Sequence, residues 1–240
     1  MYPGKGYFVY CTSNGLLVPL AGTKDHYDSS YPQVGVEWVN AYYSPLSMSD
    51  DTAIGFYNSL GNAGWVKMFE NGDSEAQNSH FTPGDDWRYI DGVDIALFAG
   101  HGAWNWIRFM DPYVAVFNTC EWGDNDLEWI FLHGCHTTQE PFIFKSVPNR
   151  AMNGVHLVSG YCTEGYDVND GTNLAENLLD GQTVKEAWFD AIEQTHGPGI
   201  ILRVIGEDGA CRNDHIWGRG SVISDPAVDN SVNWWIYYCG

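Results

Sequence analysis

Three runs in this chain leave little freedom in how it can fold: "DIALFAG" (94–100), "LEWIFLHG" (127–134) and "VHLVSGY" (155–161). Each is about one strand long and dense in apolar residues, and each is punctuated by glycine. A strand wetted on one face alternates apolar with polar residues, whereas these runs are apolar on both parities and demand cover on both faces. Their starts are about thirty residues apart, which suits crossover connections better than tight hairpins. A largely parallel, buried sheet follows, and with it an α/β architecture.

The neighbouring segments fit that frame. "VGVEWVNAYY" (34–43), "WVKMF" (65–69) and "IILRVIG" (200–206) read as further strands, the first rich in β-branched and aromatic residues. "SDDTAIGFYNSLGNAG" (49–64) reads as a helix, with Ser49 as its cap and acids in its first turn. Ala53, Phe56, Tyr57 and Leu60 would form its apolar face, and Gly61 and Gly64 would close it. A second helix is expected at "NLAENLLDG" (173–181). In "TVKEAWFDAIEQTHGPG" (183–199), Val184, Ala187, Trp188, Ala191 and Ile192 recur at helical spacing behind a Thr183/Glu186 capping box. Residues 104–122 look extended, with room for a hairpin. The divisions expected are an N-terminal extension (1–33), one α/β domain (34–225) and an aromatic C-terminal strand or tail (226–240). That tail, "SVNWWIYYCG", is too apolar to remain solvated. It must pack on this domain or be donated as a strand to another copy.

Composition narrows the function classes. Eleven basic against 31 acidic residues give a net charge of −20, which argues against nucleic acid and anionic lipid as partners. No stretch reaches the ~18 apolar residues of a membrane-spanning helix. The scarcity of lysine and the wealth of Trp, Tyr, Gly and Asn suggest an extracellular or cell-surface protein; no signal segment lies within this numbering, so a cytoplasmic location stays open as the alternative.

Chemistry is to be sought beyond the carboxyl ends of parallel strands. His101 and Cys135 each stand there, just past "DIALFAG" and within "WIFLHGCHTT". A thiol beside an imidazole can act as a nucleophile, and the amides of Gly102 and Cys135 would stand ready to hold an oxyanion. Other readings stay open. "HGCH" offers His133, Cys135 and His136, with His101 close by, as zinc donors, but alternation sends His136 away from the other two. "DVNDGTN" (167–173) invites calcium but lacks the EF-hand spacing, so it reads first as a turn into a helix and no cofactor is expected. Asp94 precedes its strand and lies at the wrong end of the sheet for catalysis. If Cys135 is a free thiol, Cys11, Cys120, Cys162, Cys211 and Cys239 cannot all pair within the chain. A Cys135–Cys162 bridge is conceivable and would abolish nucleophilicity, and Cys11 could pair with Cys239 or across subunits.

"ALFAGHG" followed by "IFLHGC" resembles the caspase-like cysteine peptidases: caspases, metacaspases, gingipains, clostripain and legumain. "CHTT" is similar to the metacaspase Cys-His-Ser-Gly, and "LVSGYCTEGYD" (157–167) to the loop bordering the S1 pocket there. The run from "VGVEWVNAYY" to "DHIWGRGSV" looks closer to an uncharacterised prokaryotic branch. The resemblance implies a Rossmann-like, three-layer sandwich with six strands in the order 2-1-3-4-5-6. It implies His101 as general acid/base, Cys135 as nucleophile, Gly102 and Cys135 as the oxyanion hole, and a peptide or protein substrate. Glu164 and Asp167 are candidate acids for selecting a basic P1 residue. The caspase Gln-Ala-Cys-x-Gly is absent, so the caspase substrate pocket does not carry over. The competing expectation is a non-catalytic, self-assembling structural protein of the same fold, joined into homo-oligomers through its terminal segments.

Overall fold

The computed structural model of the chain describes residues 9–11, 17–19, 31–110, 113–145, 150–228 and 232–240. Near the amino terminus, β1 (Val9–Cys11) and β2 (Leu17–Pro19) form a two-stranded antiparallel pair. The central sheet has seven strands: β3 (Gln33–Trp38), β4 (Val66–Gly72), β5 (Ile95–Ala99), β9 (Trp129–His133), β10 (Leu157–Tyr161), β11 (Ile201–Gly206) and β12 (Asn233–Tyr238). They lie side by side as β4-β3-β5-β9-β10-β11-β12. In order of appearance this is 2-1-3-4-5-6 with a seventh strand added at the edge. The five strands from β4 to β10 are mutually parallel, while β11 runs antiparallel to β10 and β12 antiparallel to β11. The sheet is thus mostly parallel and the fold mixed α/β.

Alternation along the strands divides the interior in two. On one face Val36, Leu97, Trp129 and Phe131 pack with three helices, α1 (Ser49–Asn62), α2 (Gly171–Leu179) and α3 (Val184–Glu193). On the other face Ala96, Phe98, Ile130 and Leu132 meet Phe81, Phe109, Phe117, Trp122 and Phe144. These come from short 3₁₀ turns and loops, and Ile107 and Ala115 are added by a small antiparallel sheet of β6 (Gly102–Ala103), β7 (Trp106–Arg108) and β8 (Val114–Val116). Among the described residues the second layer is therefore present without α-helices. Nothing between residues 73 and 155 repeats at 3.6, and stacked or edge-on aromatic rings fill the layer instead.

One local expectation needs correction. Ser49 does not cap α1: the preceding residue is Met48, with no side-chain cap, and Ser49 is the helix's first residue. Asn40 takes the capping task from outside the helix, its Oδ1 accepting the Ser49 N–H at 3.1 Å and its Nδ2 donating to Asp50 at 2.7 Å. Of the two fates expected for the tail, packing on this domain is the one observed, residues 233–238 completing the main sheet on β11. Trp235 and Tyr237 turn toward the helix-side core, while Trp234, Ile236 and Tyr238 are exposed. Thr183 caps α3 as the sequence indicates, accepting the Glu186 N–H at 3.2 Å.

Candidate active site

Register decides whether two strand-end residues can meet. β5 and β9 run parallel with Ala99 opposite His133, so His101 and Cys135, each two residues further on, leave the sheet at the same level. Two glycines let the strand ends close up. A methyl group on Gly134 would sit 2.9 Å from Gly100 O and 3.3 Å from Gly102 N, and one on Gly102 would sit 2.5 Å from Thr137 Cγ2 and 3.1 Å from Cys135 O. Immediately after Cys135 the chain turns through a left-handed residue, His136 (φ 60°), whose Nδ1 lies 3.1 Å from Cys162 O. That turn carries His136 away from the cleft.

His101, Cys135, His133, Gly100 and Gly134 line one cleft of about 150 Å³ with Tyr161, Leu46 and the loop residues Gly165, Tyr166 and Asp167. His101 is held on three sides by the segment before α1. Its Nε2 donates to Ser44 O at 2.9 Å, its backbone N–H donates to the Tyr42 hydroxyl at 3.1 Å, and its ring lies 4.4 Å from that of Tyr42. A carbonyl can only accept, so Nε2 carries the proton and Nδ1 is the nitrogen available for proton transfer. The Cys135 sulfur accepts the Gly165 N–H at 3.4 Å.

Beneath the cleft lies a polar group that the sequence did not disclose. Asp170, 1% exposed, accepts from His133 Nε2 at 2.7 Å, from the Tyr161 hydroxyl at 3.4 Å and from the Thr195 hydroxyl, and His196 Nδ1 lies 3.7 Å away. His196 in turn accepts the Tyr166 N–H at 3.0 Å, and the two rings stack. Burial lowers the His196 pKa and raises that of Tyr161, so both stay neutral near pH 7. The floor and one wall of the cleft thus hang from a single buried carboxylate. Asp170 was read as part of a turn, and only its position just before an apolar helix hinted at more.

The other expected site residues fall as follows. Gly102 and Cys135 sit side by side at the strand ends. Asp167 lines the cleft, but its oxygens already accept from Ser47 N, Ser47 Oγ and Met48 N at 2.6, 2.8 and 3.1 Å. Glu164 is exposed and outside the lining. Asp94 is at the amino end of β5, accepting the Gln33 N–H at 2.6 Å, and burial pushes its pKa up to about 7.

Among the described residues there is no disulfide: Cys120, Cys135, Cys162, Cys211 and Cys239 are all free thiols. The conceivable Cys135–Cys162 bridge does not form. Strand alternation turns Cys162 toward the Thr138 carbonyl, 3.7 Å from its sulfur, on the far side of β10 from Tyr161. The Cys11 side chain lies outside the described residues. Burial raises the pKa of Cys162, and that of Cys211 to about 12, so neither is an activated thiol.

At the opposite end of the sheet, His156, Cys211 and Asp214 bring a nitrogen, a sulfur and an oxygen within 4.8 Å of one another, all buried. His156 Nδ1 and Asp214 Oδ2 are 2.6 Å apart, a hydrogen-bond distance. The same Asp214 oxygen accepts from Trp129 Nε1 at 3.4 Å, and Oδ1 accepts the Ile223 N–H at 2.9 Å. The carboxylate is therefore already satisfied as a structural knot. The "HGCH" zinc donors do not converge, since His133 is bonded to Asp170 and His136 to Cys162. Among the described residues no helix is long and apolar enough to cross a membrane.

A family model described as "Domain of unknown function (DUF6345)" matches residues 36–238. No curated protein matches the chain. Among solved structures, the chain is similar to a secreted C11 cysteine protease from Bacteroides thetaiotaomicron, "iotapain", with 11% identity and a TM-score of 0.49. That alignment covers 73% of this chain and 66% of the other, so the chain spans just under two thirds of that protein's length.

Proposed function

We propose that this chain, which belongs to the DUF6345 family, is a cysteine peptidase whose nucleophile is Cys135 and whose general acid/base is His101. The observation that carries the reading is the equal offset of these two residues past neighbouring parallel strands, into one cleft, with Nε2 of the imidazole fixed by Ser44 O. The same pair, read from the sequence, gives the resemblance to caspase-like peptidases.

In this mechanism the Cys135 thiol passes its proton to His101 Nδ1, and the sulfur attacks the scissile carbonyl carbon. The amides of Gly102 and Cys135 take the charge that develops on the carbonyl oxygen. His101 then gives the proton to the leaving amine as the C–N bond breaks, leaving a thioester. Water, deprotonated by the same nitrogen, attacks the thioester and releases the acid and the thiol. A basic P1 residue is favoured by the field of a chain with net charge −20, not by a dedicated carboxylate, because Glu164 stands outside the cleft and Asp167 is already bonded.

The test is alkylation of the native chain by iodoacetamide, mapped by mass spectrometry, with Cys162 as an internal reference thiol. Cys135 should react at least tenfold faster than Cys162 near pH 7, and His101→Ala should remove the advantage. Equal rates at the two cysteines, or no effect of His101→Ala, would overturn the reading.

A second reading, a non-catalytic scaffold that self-assembles, is favoured by one feature: Trp234, Ile236 and Tyr238 stand exposed on the uncharged outer strand β12. It predicts a concentration-dependent oligomer that Ile236→Lys disrupts, with ordinary reactivity at Cys135.

A further inference from the structure

The loop between β10 and α2 touches both halves of the cleft. At Gly165 it meets the Cys135 sulfur. Two residues later it crosses to the other wall, where Asp167 Oδ2 accepts from Ser47 N at 2.6 Å and Ser47 Oγ at 2.8 Å, and Oδ1 accepts from Met48 N at 3.1 Å. Those donors belong to the segment that holds His101 through Tyr42 and Ser44. The far end of the same segment is pinned by Asp73, a left-handed residue (φ 48°) whose Oδ1 accepts from Asn40 N and Ala41 N at 2.8 Å each. The segment that holds His101 is thus tied at both ends by carboxylates, Asp167 reaching it from the Cys135 side, with Thr52 Oγ1 donating to Val168 O at 2.9 Å just beyond.

A carboxylate offers about four lone-pair positions, and three donors already occupy Asp167. An acid that reads a substrate cation would instead keep its oxygens open to the pocket. We propose that Asp167 is a positioning residue: it locks the loop that holds the sulfur to the segment that holds the imidazole, and so fixes their separation. The proposal rests on the His101/Cys135 dyad and deepens it. Asp167 is exposed, so these hydrogen bonds add little to global stability. Their effect falls on geometry, where a displacement of about 1 Å costs on the order of 100-fold in rate.

The experiment compares the whole chain with its Asp167→Ala and Asp167→Asn variants. Two peptides differing only by Arg or Ala at P1 are used as substrates, and the pH profile of Cys135 alkylation is recorded for each protein. In Asp167→Ala, kcat should fall about 10- to 100-fold on both peptides with KM nearly unchanged and the Arg/Ala preference intact. The alkylation profile should shift toward that of His101→Ala. Asp167→Asn should lie between, since one amide oxygen still accepts from Ser47. A loss confined to the Arg peptide, with KM rising, would make Asp167 a substrate-reading acid and overturn the proposal. Unchanged kcat and an unchanged profile would reduce it to a surface contact, also overturning it. If the unsubstituted chain cleaves neither peptide and alkylates at Cys135 as His101→Ala does, the dyad itself fails. That result is distinct from the other two and takes the role of Asp167 with it.

Discussion

Asp170→Ala would leave the Tyr161 hydroxyl and His133 Nε2 without their common acceptor, while the Thr195 hydroxyl would keep Ile192 O at 3.1 Å. Stranding buried donors in this way costs about 3 kcal/mol, which urea denaturation would register as a lower midpoint at unchanged slope. Asp94 acts through pH. Burial, with Asp126 nearby, lifts its pKa from 3.8 to about 7. The folded chain therefore holds a proton that the unfolded chain has released, and stability falls as pH rises from about 4 to about 7. Asp94→Asn keeps an acceptor for the Gln33 N–H and removes that loss. Its melting temperature should match the parent below pH 4 and exceed it above pH 7, whereas an equal difference at both pH values would refute the assignment. At this scale the sequence disclosed what ends an apolar run. His101 and Cys135 could be found because a polar group directly after a buried strand has to emerge at its rim. Asp170 could not, because its partners lie 37 and 25 residues away and its own surroundings, "DVNDGTN", spell a turn.

The elements were legible to the extent that their periodicity was. Runs apolar on both parities, such as 129–133, mark strands covered on two sides, and the stripe in 184–192 marks a helix lying on one of them. The cover on the second face has no such period, so its 3₁₀ turns left no trace beyond an abundance of aromatic residues, whereas the antiparallel β7–β8 pair falls within the extended, hairpin-like run at 104–122. Ser49 looks like a cap in sequence, but the acceptor that caps α1 comes from Asn40, nine residues earlier in the chain. The contact between strand ends gives a prediction that belongs to β5 and β9 together. In Gly134→Ala the new methyl would press on Gly100 O and Gly102 N and push the ends apart. Under the proposed peptidase reading, hydrolysis should drop at least tenfold while the far-ultraviolet circular dichroism spectrum is retained. A fully active variant would show that close approach at this point is not needed.

Across the whole molecule, 31 acids against 11 bases make the folded state repel itself. Sodium chloride shortens the range of that repulsion, so the melting temperature should rise between low salt and about 0.5 M. If the proposed preference for a basic P1 residue comes from this field, kcat/KM for an Arg-containing peptide should fall over the same range, while that for its Ala counterpart should hold steady. The division of the interior by the sheet has a separate consequence. Trp129 and Trp188 lie on the helix side and Trp122 on the other, all three sealed from solvent. Since β5, β9 and β10 contribute alternate residues to each side, melting any one of them would wet indoles on both sides in the same event. The chain therefore carries its own optical gauge of whether the two halves of its interior unfold as one.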